Sequence, residues 1–252
     1  MEFSLFGFSL TAVIAALAGL LLGGLSKGAL GLGLPLVAIP FLSLAMPVPQ
    51  ALVILTAPIV ATNIYQAMQG GNLRPVVKRF WLVAVGMSIG IVVGAQIMVR
   101  LDPKVLYLIM GLVVMIQPAL KLFRPHTVIS ENTQRWLGPS VGSFAGLVGG
   151  MSGFYGPVIL VYLASLRLQK DVFTATVAVL FLTGGLVLAA SLAQVGVMNR
   201  NDLLMAALAC IPAFLGIFWG QKIRARINQA QFEKALTVTM FIMGLSLLYK
   251  AL

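Results

Sequence analysis

Gly23-Gly-Leu-Ser-Lys-Gly-Ala-Leu-Gly-Leu-Gly-Leu-Pro35 sets one lysine among five glycines and a proline, in a region whose nearest other charges are Glu2 and Arg74. A charge so isolated needs a reason, and the surrounding chain narrows the choices. The 252 residues are 60% hydrophobic and 9% charged, with mean hydropathy +1.03. A soluble domain has about 25% charged residues. The apolar runs are long and continuous rather than alternating, which points to membrane helices and away from a barrel. The reading is an all-α polytopic membrane protein, with no soluble catalytic or binding domain left over.

Ten apolar segments fall at about 5–26, 29–46, 49–69, 80–99, 104–122, 136–150, 153–166, 172–195, 203–222 and 235–251. The net charge of +11 fits short cytoplasmic loops under the positive-inside rule better than nucleic acid. The single cysteine, Cys210, excludes an internal disulfide and any CxxC motif. The single histidine, His126, lies in a polar loop, so no metal site or cofactor is expected. The N-terminus lacks a basic stretch, so Met1 to Leu25 reads as a retained helix.

The chain repeats itself. Gly94-Ala-Gln-Ile-Met-Val-Arg100 matches Gly220-Gln-Lys-Ile-Arg-Ala-Arg226 at an offset of 126, and Gly28, Gly31 and Pro35 match Gly150, Gly153 and Pro157 at an offset of 122. This divides the chain into a first repeat, 1–123, a linker loop, 124–135, and a second repeat, 136–252, each with five segments. Basic residues cluster at 74–79, 121–135, 167–170 and 222–234. All four clusters reach one side if the first two segments of each repeat form a hairpin that returns to its own side. An odd number of segments then makes the repeats inverted, as in many secondary transporters.

The segments at 136–150 and 153–166 are shorter than the ~20 residues that cross a bilayer, so each Gly-rich hairpin reads as a broken helix with its tip near mid-membrane. A helix starting there offers unpaired backbone N–H groups and a positive dipole end, and glycines let a ligand approach. Two such tips would bind an anion. The candidate substrate-binding residues are Ser26, Lys27, Gly28, Gly31 and Gly33 in the first tip and Gly150, Ser152, Gly153, Tyr155 and Gly156 in the second. Asn63 and Gln66 lie one turn apart on the third segment. Each has an alternative: Lys27 snorkels at the cytoplasmic surface, Asn63 and Gln66 bond between helices, and Gly86, Gly90, Gly94, Gly216 and Gly220 serve packing. The six acidic residues all fall at predicted loops or segment ends, which disfavours a cation carrier.

The stretch Ser26-Lys-Gly-Ala-Leu-Gly-Leu-Gly-Leu-Pro-Leu-Val-Ala-Ile-Pro40 resembles the first signature of the TauE/SafE (TSUP) family of sulfite exporter-like permeases. Gly150-Met-Ser-Gly-Phe-Tyr-Gly-Pro-Val-Ile-Leu-Val-Tyr-Leu163, followed by Lys170-Asp-Val-Phe-Thr-Ala-Thr176, resembles the second. The family's first cluster is often richer in consecutive glycines than Gly31-Leu-Gly33, and its second often has glycine where Tyr155 stands. The resemblance implies a multi-pass protein of the bacterial cytoplasmic (inner) membrane that exports sulfite, an organosulfonate or a related sulfur oxyanion by alternating access. A passive anion channel and an organic-acid uptake permease are the alternatives. An enzyme is not expected, because no nucleophile–base pair or metal set is present, and no Walker motif indicates ATP. The expected partners are a small anionic substrate and membrane lipid, with proton coupling and a homodimer left open, and no nucleic acid.

Overall fold

The computed structural model describes residues 4–5, 8–69, 73–120, 131–224 and 229–252. Two two-residue strands, β1 (Ser4–Leu5) and β2 (Phe8–Ser9), pair antiparallel ahead of the helices. Ten helices follow among the described residues: α1 (Leu10–Leu30), α2 (Leu34–Ala45), α3 (Val48–Gln69), α4 (Arg74–Met98), α5 (Pro103–Leu120), α6 (Glu131–Ser152), α7 (Gly156–Ser165), α8 (Lys170–Gln194), α9 (Arg200–Arg224) and α10 (Gln229–Ala251). Six are long and apolar enough to cross a bilayer. Their outward faces carry large apolar side chains such as Ile89, Phe218, Trp219 and Phe241. Such faces need lipid as solvent, and helices satisfy their own backbone groups there. The chain is a multi-pass membrane protein.

α2 and α7, the second arms of the two hairpins, have 12 and 10 residues. At 1.5 Å per residue they reach about 15–18 Å, roughly half of a hydrocarbon core. The first arms are full length, with 21 residues in α1 and 22 in α6. The second hairpin thus differs from the expectation of two short arms. Residues 131–135, assigned from sequence to the linker loop, form the first turn of α6. Hydropathy marks where a helix becomes apolar, not where its hydrogen bonds begin. The remainder of that loop, at 124–130, lies outside the described residues.

Two compact units emerge. The first comprises Met1–Pro58, Leu101–Pro118 and Asn199–Leu252; the second comprises Ile59–Arg100 and Ala119–Met198. The boundary at Pro58 falls inside α3, where proline removes one rung of the helical ladder. Neither unit coincides with a sequence half, because each takes its hairpin from one half and its fourth helix from the other.

Glycine explains that exchange. In the first unit, a β-carbon on Gly24 or Gly28 of α1 would land on the carbonyls of Ala213 or Ile217 of α9, and one on Gly216 or Gly220 would land on Leu21 or Leu25. In the second unit, Gly146 and Gly150 of α6 face the carbonyls of Met87 and Ile91 of α4, and Gly90 and Gly94 face Ser143 and Leu147. Contacts advance along both partners in the same direction, so each pair runs parallel. The two sets correspond at the offsets of 122 and 126 found in the sequence. Bare backbones meeting in this way gain dispersion and weak hydrogen bonds in lipid, where no hydrophobic force joins helices.

Polar fittings hold the ends of the first unit. Lys250 Nζ donates to Ser43 O at 3.0 Å and Leu44 O at 3.3 Å, over the Tyr107 ring, and so satisfies carbonyls at the C-terminus of α2. Asp202, expected at a loop end, is buried at the start of α9. Its carboxylate accepts from Asn199 N–H, and the Asn199 side chain accepts from Asp202 N–H, both at 3.0 Å. This reciprocal arrangement is a capping box.

Gly146→Ala forces a methyl against the Met87 carbonyl, and we expect it to cost about 1–3 kcal/mol. Leu186→Ala, on an exposed face, serves as control. Thermal unfolding in detergent, followed by tryptophan fluorescence, reads both. Equal melting points would contradict the crossing as described.

Candidate functional site

Each hairpin turns on the same short construction. In the first, α1 ends at Leu30 and Gly31 takes φ +79°. Its N–H donates to Lys27 O at 2.8 Å. In the second, α6 ends at Ser152 and Gly153 takes φ +77°. Its N–H donates to Gly149 O at 2.6 Å. This left-handed cap terminates a helix and is strained for any residue with a β-carbon. A second helix then starts two residues later, with Gly33 capping α2 and Tyr155 capping α7. Pro35 and Pro157 occupy the first turns, where proline is pre-set for helix entry. The first bonds of the new helices run from Val37 N to Gly33 O and from Ile159 N to Tyr155 O. The earlier N–H groups, those of Leu34 and Leu36 in α2 and of Gly156 and Val158 in α7, have no helical acceptor by construction.

Ser26, Lys27, Gly28, Gly31 and Gly33 belong to the first unit, and Asn63, Gln66, Gly150, Ser152, Gly153, Tyr155 and Gly156 to the second. Lys27 is 7% exposed, in the last turn of α1. A lysine snorkelling at the surface would keep its head in the open. Ser26 Oγ donates to Leu32 O at 3.4 Å, and a β-carbon on Gly33 would sit 2.6 Å from that oxygen. A β-carbon on Gly31 would meet nothing within 4 Å, so open space adjoins the first tip.

The second tip is filled. Ser152 Oγ donates to Val148 O at 2.7 Å and accepts from Phe154 N–H at 3.3 Å. Tyr155 is fully buried. Its ring packs against the sites that β-carbons of Gly149 and Gly184 would occupy, and meets the Phe181 ring edge-on at 5.1 Å. Its hydroxyl donates to Phe181 O at 3.3 Å, so the phenol proton serves α8. Gly156 also packs on Phe181. Asn63 Nδ2 donates to Ile59 O at 2.7 Å, one turn back along α3. Gln66 is buried on the same helix. Gly28 and Gly150 are required by the helix crossings, whatever else they do.

At the offset of 122, Lys27 corresponds to Gly149 and Gly33 to Tyr155. The first tip carries its long side chain on the helix arm and glycine at the cap. The second carries glycine on the arm and its large side chain at the cap. One tip carries a lysine with space beside it, and the other is plugged. The sequence offers Tyr155 as a substrate-binding residue and gives no sign that Gly149, Phe181 and Gly184 surround its ring. The offset of 122 pairs Gly149 with Lys27 but brings neither Phe181 nor Gly184 to the tip.

Tyr155→Phe removes one hydrogen bond, and we expect a loss of about 0.5–1.5 kcal/mol. Tyr155→Gly empties the plug and should cost about 3–5 kcal/mol. Chemical or thermal unfolding of both variants measures the difference; similar losses would mean that the ring does not fill the tip.

A family model described as "Sulfite exporter TauE/SafE" matches residues 15–247, nearly the whole chain. No curated protein and no solved structure matches it. With ten helices and six candidate spans among the described residues, and twin glycine-broken hairpins in place, that match identifies the chain as a member of the sulfite exporter TauE/SafE family.

Proposed function

We propose that the protein is a secondary transporter that carries sulfite, or an organosulfonate of similar charge, out across the bacterial cytoplasmic membrane. Family membership implies membrane transport of an anion of the sulfite type. The observation that carries the narrower reading is the buried Lys27, in the last turn of the helix that precedes a short helix whose first N–H groups have no helical acceptor. A helix start favours negative charge through its dipole and its N–H donors. A buried lysine in the last turn of α1 adds further donors to the same tip and, when protonated, a full charge. An oxyanion suits both.

The roles then divide unequally. The first tip receives the anion, with Lys27 as its charge and the N–H groups of Leu34 and Leu36 as directional donors. The second tip is filled by its own residues, since Tyr155 occupies its space and Ser152 ties its backbone. Alternating exposure of this site to the two sides of the membrane accomplishes transport, and the matching construction of the two hairpins supports inverted repeats as its basis. Export needs no further energy source under an inside-negative potential, since each outgoing negative charge gains about 2.3 kcal/mol per 100 mV. A proton, where one is coupled, travels on sulfite itself or on Lys27.

The test is uptake of labelled sulfite and sulfoacetate into proteoliposomes, with binding measured by thermal shift. We expect saturable flux in wild type. Lys27→Met should weaken apparent affinity by about 10- to 150-fold, the worth of one charged hydrogen bond. Lys27→Arg should restore part of it. Flux that never saturates would point to a channel, and an unaffected Lys27→Met variant would remove the lysine from the site.

A further inference from the structure

The second unit contains a cleft of about 260 Å³ away from either tip sequence, lined by Lys78 and Arg79 of α4, Gln134 and Arg135 of α6, and Tyr162 of α7. Its position follows from the glycine crossing. α4 and α6 run parallel, with Gly142 of α6 against Val83 and Gly86 of α4 against Pro139. Their N-terminal turns therefore lie side by side, and two basic clusters far apart in sequence share one end of the unit. Both helix dipoles also present their positive ends there.

The cleft is built rather than incidental. Gln134 is buried, and its Oε1 accepts from Arg79 Nη2 at 2.8 Å and Nε at 3.3 Å. Arg79 is further held over the Phe80 ring at 5.4 Å. A guanidinium has five N–H donors, so others on the same fork remain for a ligand. Tyr162 hydroxyl donates to Gln134 O at 3.5 Å, closing the floor. Lys78 and Arg135 are exposed at the rim. Among the described residues lining it, none is acidic. One phosphate with a single negative charge suits three cations arranged in this way.

Two further features fix the source of that phosphate. Trp81 follows Phe80 on α4 and is 53% exposed, and Trp136 follows Arg135 on α6 and is 85% exposed. Exposed tryptophans on membrane helices settle at headgroup level. The remaining wall consists of Leu82 and Val83, apolar side chains one turn further along α4. A soluble anion has no use for that wall, whereas a glycerol ester with its first methylenes does. We propose that this cleft is a binding site for the headgroup of an anionic phospholipid, its phosphate on Arg79, Arg135 and Lys78. It shares no residue with the transport site proposed above and stands without it.

Native mass spectrometry of the full chain in detergent tests this, with phosphatidylglycerol and phosphatidylcholine of equal chain length as probes. We expect wild type to retain phosphatidylglycerol more than tenfold over phosphatidylcholine. Each basic contact near an anionic headgroup is worth about fivefold. The Lys78→Gln/Arg135→Gln variant should therefore lose on the order of 25-fold. Those two side chains sit on the rim, so the variant should melt like wild type in lipid-free detergent. Arg79→Gln gives a second reading from the guanidinium that Gln134 holds. Millimolar inorganic phosphate should not displace the lipid. Equal retention of the two lipids, or an unchanged preference in both variants, overturns the proposal. Displacement by phosphate also overturns it and makes the cleft a site for free anions.

Discussion

Backbone-to-backbone contact between parallel helices is the constraint from which the rest of this structure follows. In lipid there is no hydrophobic gain from bringing one apolar helix against another. Association depends on how closely the surfaces can approach, and only the absence of a β-carbon lets α1 meet α9, or α4 meet α6, at carbonyl distance. Once those crossings form, the hairpins are placed. Gly28 and Gly150 lie in the crossings and within three residues of the positive-φ glycines that end their helices. The same runs of glycine thus fix the packing and the point at which the helix breaks.

Much of this was legible in the sequence. All ten apolar segments became helices, because the length of an apolar run is dictated by bilayer thickness and survives any detail of packing. The tips were legible too, since Gly31 with Pro35, and Gly153 with Pro157, state a left-handed stop followed by a helical start. The packing role of Gly86, Gly90 and Gly94 could be read from their spacing. The start of α6 was not, because Glu131-Asn-Thr-Gln-Arg135 has no apolar stripe, and helical hydrogen bonding does not require one.

What no periodicity could reveal was partnership. A GxxxG face specifies a close neighbour, not which one. The halves therefore read as two consecutive bundles, yet each unit draws on both. The task of Tyr155 was hidden for a similar reason. A phenol beside glycines offers a donor or a filler equally well, and only the hollow made by Gly149 and Gly184 decides between them. Lys27 stood out because a charge is conspicuous among glycines; the matching plug did not, because an aromatic ring among apolar residues is ordinary.

The interleaved connectivity also sets an order of assembly. α4 meets α6 as soon as the chain has been made to residue 152, while α1 has no α9 until residue 224 has emerged. At roughly 5–20 residues per second of synthesis, α1 must wait on the order of 10–40 s in the membrane with its glycine face unmatched and its lysine aboard. The nascent first helix is thus the part of this protein most in need of a holding partner from the insertion machinery. The second unit needs much less, since its own crossing closes while the ribosome is still at work.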